Sequence, residues 1–355
     1  MGIVLSFNSL RFILAIFICW HHNGIIFFGN EYEYNKYFRT AHLAVDCFFI
    51  LSGFLMAKSF YSNIIYSANN RGVSSFFWER IKRLYPEFIF CLIIIYYFLK
   101  IFHVHKPSKT FLLEAMMFGG MSNIPSILSV VWFVSVLFWL GCFIYCLVFF
   151  FKEKGLFLII PTLGILSLLV LVANFNSIAG HSQPLLANFL SFGVIRGMLG
   201  LTVGIFVYII VDFINKTNWD KYNKKVINII FMVFELLCII EFIKLLAFRR
   251  NGDISDFNIY FVFSFLIILL FYKKEFFLKF LSNPILAKTG TISYIFYLSH
   301  VALIDVFKKY SIFTEMNIVA MYTVVTIACV IFATVLYFLY KQMALLFIKF
   351  IMIRN

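Results

Sequence analysis

The sequence predicts an all-α, polytopic membrane protein with about ten transmembrane helices and cytoplasmic N and C termini. Three observations predict it. Hydrophobic residue types make up 63% of the 355 residues and charged types only 13%, against roughly 45–50% and about 25% in a soluble protein. The apolar residues gather in runs of about 20, the length that crosses roughly 30 Å of hydrocarbon as a helix. The 30 Lys and Arg outnumber the 16 Asp and Glu, for a net charge of +14, and they sit mainly between the runs, as in cytoplasmic loops. This composition excludes a soluble enzyme, a disordered chain and a secreted disulfide scaffold. Membrane lipids are expected partners of the basic loops. Nucleic acid is not, because no loop is long enough to form a binding domain. The seven cysteines all lie in apolar runs without metal-ligand spacing, so they read as buried filler and no metal is expected.

Ten runs stand out in order: Leu10 to Phe28, Ala41 to Phe60, Leu84 to Phe102, Val130 to Phe151, Leu156 to Asn174, Phe192 to Val211, Val226 to Leu246, Ile259 to Tyr272, Ile292 to Phe307 and Val319 to Tyr340. The eighth is short, and Phe111 to Gly120 reads as an extra re-entrant or interfacial piece. With the amino terminus inside, 19 of the 30 basic residues face the cytoplasm, which the positive-inside rule favours. No repeat, low-complexity stretch or linker divides the chain, so residues 1–355 are expected to form a single membrane domain.

An ionisable group at membrane depth costs about 2.5–3.5 kcal/mol on insertion scales and normally turns to the bundle interior. Those noted are His21, His22, His42, Asp46, Glu235, His300 and Asp305. Arg11, Ala15, Ile18 and His22 share one helix face, with Arg11 at the cytoplasmic mouth and His22 about 16 Å further along the axis. Histidine is the side chain best suited to move a proton near neutral pH. His42 and Asp46 are four apart on one face, where a carboxylate can hold an imidazole tautomer. Ser52-Gly53 permits a close helix approach and a bond across it. Arg80 and Arg83, in the loop after the second run, are three apart and can grip a phosphate. Each has a plainer account too: a structural histidine, a buried ion pair, ordinary helix packing, a cytoplasmic anchor.

Together, four stretches resemble the integral-membrane acyltransferase family 3, which includes O-acetyltransferases of bacterial cell-surface sugars. They are Arg11 followed ten residues later by His22; Val45-Asp46-Cys47-Phe48-Phe49-Ile50-Leu51-Ser52-Gly53-Phe54-Leu55; Arg80-Ile81-Lys82-Arg83-Leu84-Tyr85-Pro86; and Ile292-Ser293-Tyr294-Ile295-Phe296-Tyr297-Leu298-Ser299-His300. Val131-Trp132-Phe133-Val134-Ser135-Val136 is a weaker fifth. The resemblance implies a multi-pass protein of the bacterial cytoplasmic (inner) membrane. It would use acetyl-CoA, or another acyl-CoA, as co-substrate without a metal, and acylate a hydroxyl of a glycan or other acceptor. By position, His22 would be the essential histidine and Asp46 would orient it. Arg11, Arg80 and Arg83 would handle the donor, and Ser52, Trp132, Tyr297 and His300 would line the site. His22 would act as general base or take the acyl group itself. Many members continue the tryptophan stretch with a glutamate where this chain has Leu137, so that carboxylate is missing or supplied elsewhere, by Glu235 or Asp305. The runner-up function is a polysaccharide or lipid-linked glycan exporter without acyl transfer. A glycan polymerase ranks lower, because the longest outer loop, Phe175 to Leu190, is short and uncharged.

Overall fold

The computed structural model describes residues 2–29, 37–61, 72–106, 108–119, 126–175, 178, 184–185, 190–216, 224–248, 253–272, 280–313 and 316–354. Most of the Phe175 to Leu190 loop lies outside them. Apart from one two-residue antiparallel pairing, Pro184–Leu185 with Leu190–Ser191, the regular structure among the described residues is helical. The helices are α1 (Gly2–Phe28), α2 (Ala44–Phe60), α3 (Val73–Ile101), α4 (Phe111–Ala115), α5 (Val131–Lys154), α6 (Ile160–Phe175), α7 (Phe192–Lys216), α8 (Lys224–Ile243), α9 (Asn258–Tyr272), α10 (Pro284–Thr289), α11 (Ser293–Lys309) and α12 (Ile318–Arg354).

Among the described residues, seven helical stretches are long and apolar enough to cross a membrane, where the sequence predicts about ten. The fourth and fifth expected spans fall in a single stretch, Val131–Asn174. Within it Lys152 leaves helical geometry, with φ 50° and ψ −125°. In a straight helix Gly155 would lie about 12 Å beyond Leu147, yet it packs against the Leu147 carbonyl, so the chain doubles back there. The expected seventh span coincides with α8. The ninth is α11, whose 17 residues make it shorter than an ordinary span.

Helices α2 and α7 cross at the centre, and small residues let them. A Cβ on Gly53 would collide with the Leu201 carbonyl, and one on Gly204 with the Ile50 carbonyl. Two backbones therefore touch where any side chain would hold them apart. The same crossing carries a buried ion pair. Asp46, in the first turn of α2, accepts from Arg196 Nε of α7 at 2.8 Å and Arg196 Nη2 at 2.5 Å, and from the Tyr260 hydroxyl of α9 at 2.7 Å. Arg196 Nη2 also donates to the His42 carbonyl at 2.9 Å. Asp46 is 0% and Arg196 1% exposed. One bidentate pair thus fastens three helices and the turn that begins α2.

The connection from α3 to α5 returns deep into the bundle. Near its start, Lys106 pairs with Asp305 at 2.9 Å. At its end, the Val130 carbonyl accepts from the Tyr297 hydroxyl at 3.0 Å. Asp305 and Tyr297 lie eight residues apart on α11, so the connection travels about 12 Å back along that helix before α5 begins. The piece expected from Phe111 to Gly120, re-entrant or interfacial, lies on this path as α4 and the residues up to 119; Gly120 is outside the described residues. Irregular backbone among apolar helices needs partners, and these are supplied locally. Glu114, buried on α4, accepts from the backbone N–H groups of Ile127 and Leu128, both at 2.7 Å. Trp139 Nε1 donates to the Met117 carbonyl at 3.0 Å, and Lys106 reaches Ser129 Oγ at 3.3 Å.

One expectation is corrected. The basic stretch Arg80-Ile81-Lys82-Arg83 is not in a loop: α3 begins at Val73, eleven residues before the expected span, and runs through Pro86. Nothing from Ser74 to Tyr85 breaks a helix, and Pro86 removes only one N–H donor from it.

Removing one member of a buried ion pair leaves the other charged and unpaired, at a cost of about 3–5 kcal/mol. Asp46→Leu or Arg196→Met alone is expected to lower the thermal midpoint in detergent strongly. The double variant should recover a large part of the loss, and additive losses would contradict the pairing. A second expectation concerns pH. Burial pushes the Glu114 carboxyl up to about 7, against the opposing pull of the Leu128 and Ile127 N–H bonds and the Lys106 charge. The folded state then holds this proton more tightly than the unfolded chain. Its contribution to stability is complete below the unfolded value of about 4.5 and is lost as pH rises through about 7. Thermal melts across that window should show a downward slope that flattens in Glu114→Gln; equal slopes would exclude it.

Candidate active site

The predicted residues fall into three groups. The first is imidazole-rich and lies between α1 and α11. His22 sits on α1 with its ring centroid 5.3 Å from that of His300 on α11. His300 is 0% exposed. Its Nδ1 lies 3.2 Å from the Phe296 carbonyl, four residues back on its own helix. Since a carbonyl only accepts, this nitrogen carries the ring proton and Nε2 bears the lone pair. Among the described residues nothing bonds to Nε2. Tyr297, one position before Leu298 on the same helix, packs 6.0 Å from the His300 ring and fixes its hydroxyl on α5 through Val130. His21 lies 5.5 Å from His22 and 5.1 Å from His42, so four imidazoles line up from the start of α2 to α11. Asn23, next on α1, is fully buried with neither amide atom bonded among the described residues.

The second group is the Asp46 pair. Arg196 stacks over the Trp132 ring at 5.7 Å, so Trp132, in the first turn of α5, packs on the ion pair. Asp46 has both oxygens engaged by Arg196 and Tyr260. The expected pairing of Asp46 with an imidazole is therefore not what the structure shows: a guanidinium offers two parallel donors where a histidine offers one. Ser52 is half-buried on α2 next to the α7 crossing and makes no hydrogen bond among the described residues.

The third group is cationic. Arg11 of α1 donates to Asn8 Oδ1 at 3.4 Å. Arg83 of α3 lies close enough to both Arg11 and Arg80 for their charges to repel. Among the described residues no carboxylate pairs with any of the three. Arg80 is partly committed to packing: it donates to the Leu137 carbonyl at 3.2 Å, lies over the Phe76 ring at 5.1 Å and fills the space that Gly141 leaves on α5. Arg83 is exposed. Three like charges held together without an acid suit an anion. At Leu137, where the resemblance led to the expectation of a glutamate, it is the backbone carbonyl that meets Arg80. Asp305, one suggested substitute, is tied to Lys106.

The two ends are joined by α1. It is helical without a break from Gly2 to Phe28, and the face between Arg11 and His22 carries the buried Ala15 and Ile18. Sequence reading missed Arg196, Tyr260 and Glu114. Arg196 had a signal, a lone cation inside an apolar run; Tyr260 had none, because a tyrosine in an apolar run is ordinary.

The pattern of a protein family described as an acyltransferase domain matches residues 4–338, a range that contains all three groups. No curated protein and no solved structure matches the chain. With its seven apolar helices, this is an integral, multi-pass membrane protein, and it belongs to acyltransferase family 3.

Proposed function

We propose that the protein is an O-acyltransferase of the bacterial cytoplasmic membrane, with both termini in the cytoplasm. It moves an acyl group, most simply acetyl, from cytoplasmic acyl-CoA to a hydroxyl of a cell-surface or lipid-linked glycan. The observation that carries this reading is the placement of Arg11 and His22 on one unbroken helix, with Arg83 beside the first, Arg80 next to Arg83 in turn, and His300 beside the second. The CoA phosphates dock on the arginines, the pantetheine arm runs along α1, and the thioester arrives at His22.

There the acceptor oxygen attacks the thioester carbon. His22 takes the hydroxyl proton, the C–O bond forms, the C–S bond breaks, and the proton passes to the departing thiolate. In the two-step variant the His22 ring takes the acyl group first and yields it to the hydroxyl. Label retained on the protein when acceptor is withheld separates the two.

Membrane vesicles supplied with radiolabelled acetyl-CoA should deposit alkali-labile label in glycan. His22→Ala should abolish this while the protein still inserts and purifies as a monodisperse species; normal labelling by that variant would refute the role. An exporter would leave the donor unconsumed. The arginines differ in what they should show. Arg83→Ala should weaken acetyl-CoA binding on the order of 10-fold, the loss of one charge-assisted contact, with little change in thermal midpoint. Arg80→Ala should lower both, because it also opens a gap against Gly141 and Leu137. Unchanged affinity in the double variant would remove the arginines from the donor site.

A further inference from the structure

We infer that His300 is the positioning partner of His22, so that the reacting group is a pair of imidazoles instead of an imidazole and a carboxylate. The inference rests on the acyl-transfer reading and deepens it. A general base must hand on charge, and the residue expected to receive it, Asp46, has both oxygens taken by Arg196 and Tyr260. His300 meets the requirement. Its Nδ1 proton is held by the Phe296 carbonyl, which leaves the Nε2 lone pair as the acceptor, buried and unbonded among the described residues. An acceptor so placed is expensive to leave unused, about 1–3 kcal/mol. Two imidazoles joined N–H to N at the ordinary distance have ring centroids roughly 5 Å apart; those of His22 and His300 are 5.3 Å apart with Nε2 not yet bonded, so a small turn of the His22 ring in the reacting complex closes the bond.

The ring is also held firmly. It stacks on Phe296 at 5.8 Å with an interplanar angle of 19° and packs beside Tyr297, whose hydroxyl is anchored on α5. Cys329 Sγ lies 3.8 Å from the His300 carbonyl. The titratable groups around His300 are therefore His22, Tyr297 and Cys329, with His21 and His42 further along the row; none of the described residues against it is a carboxylate. In the reaction, His22 takes the hydroxyl proton on one nitrogen while its other N–H is held by His300 Nε2. The two rings share the positive charge until the proton passes to the thiolate, and both return neutral.

The test uses the full-length protein in membrane vesicles with radiolabelled acetyl-CoA, reading alkali-labile label in glycan. If wild type deposits no label, the acyl-transfer reading fails and this inference with it. If wild type is active and His22→Ala is not, the reading stands and His300 is judged separately. His300→Ala is then expected to reduce kcat on the order of 100-fold with KM for acetyl-CoA changed less than about 2-fold, since the donor cations lie at the other end of α1. His300→Gln, which keeps an acceptor at that place but cannot ionise, should recover part of kcat and give a rate–pH profile different from wild type. Ser299→Ala, its neighbour, should keep the wild-type profile. Wild-type kcat and profile in both His300 variants would overturn the pairing. Where a His300 variant does not fold, the ring-¹⁵N spectrum of histidine-labelled wild-type protein decides. A protonated Nδ1 and bare Nε2 at His300 support the dyad, and a proton on Nε2 excludes it.

Discussion

A carboxylate and a guanidinium placed together in an apolar bundle can neither be hydrated nor be separated at acceptable cost. Asp46 and Arg196 are such a pair, and much of the architecture follows from keeping them joined. The pair sits where α2 and α7 cross closely: glycines at residues 53 and 204 let the backbones touch, and Gly200 makes room for the Phe49 side chain. Tyr260 brings α9 to the same point, the His42 carbonyl fixes the turn entering α2, and Trp132 lays its ring on the guanidinium. The row of imidazoles begins at that turn. The pair sets the position of His42 and, through the row, the neighbourhood of His22, while its own charge is spent inside the pair.

A second constraint shapes the α3–α5 connection. Backbone that is neither helix nor strand has to find its hydrogen bonds within the protein when it runs among apolar helices. Glu114 answers two N–H groups at once, Trp139 and Tyr297 each answer a carbonyl, and Lys106 spans Ser129 and Asp305. This satisfied thread allows α5 to start partway along α11, placing Trp132 against α7 and Leu137 against Arg80.

Sequence periodicity revealed what is local. The shared face of Arg11 and His22 is a matter of 3.6 residues per turn, and α1 displays it; Gly53 announced a close approach and makes one. What stayed hidden depends on distant partners. Asp46 and Arg196 are 150 residues apart in the chain, so a carboxylate four residues from His42 looked like that histidine's companion, although a two-pronged donor from another helix outcompetes it. The onset of α3 was hidden because polar residues in its first three turns resemble a loop in a hydropathy reading, though none of them prevents a helix. Each of the ten expected runs carries a helix, although only seven apolar stretches of spanning length stand out among the described residues. The boundary expected between Phe151 and Leu156 falls where the axis reverses, at Lys152, and the ninth expected run is the short α11, with 17 residues.

The unbroken course of α1 has a further consequence. Along a helix, distance and azimuth are locked together: each residue adds about 1.5 Å and turns the face by about 100°. The segment from residue 11 to residue 22 therefore works as a gauge, with one tip among arginines and the other among imidazoles. Side chains along it can be exchanged within the limits of packing. A single inserted or deleted residue would swing one tip out of register with the other, and no loop lies between them to absorb the error. Under the proposed function, the length of this stretch matters as much as any side chain it carries.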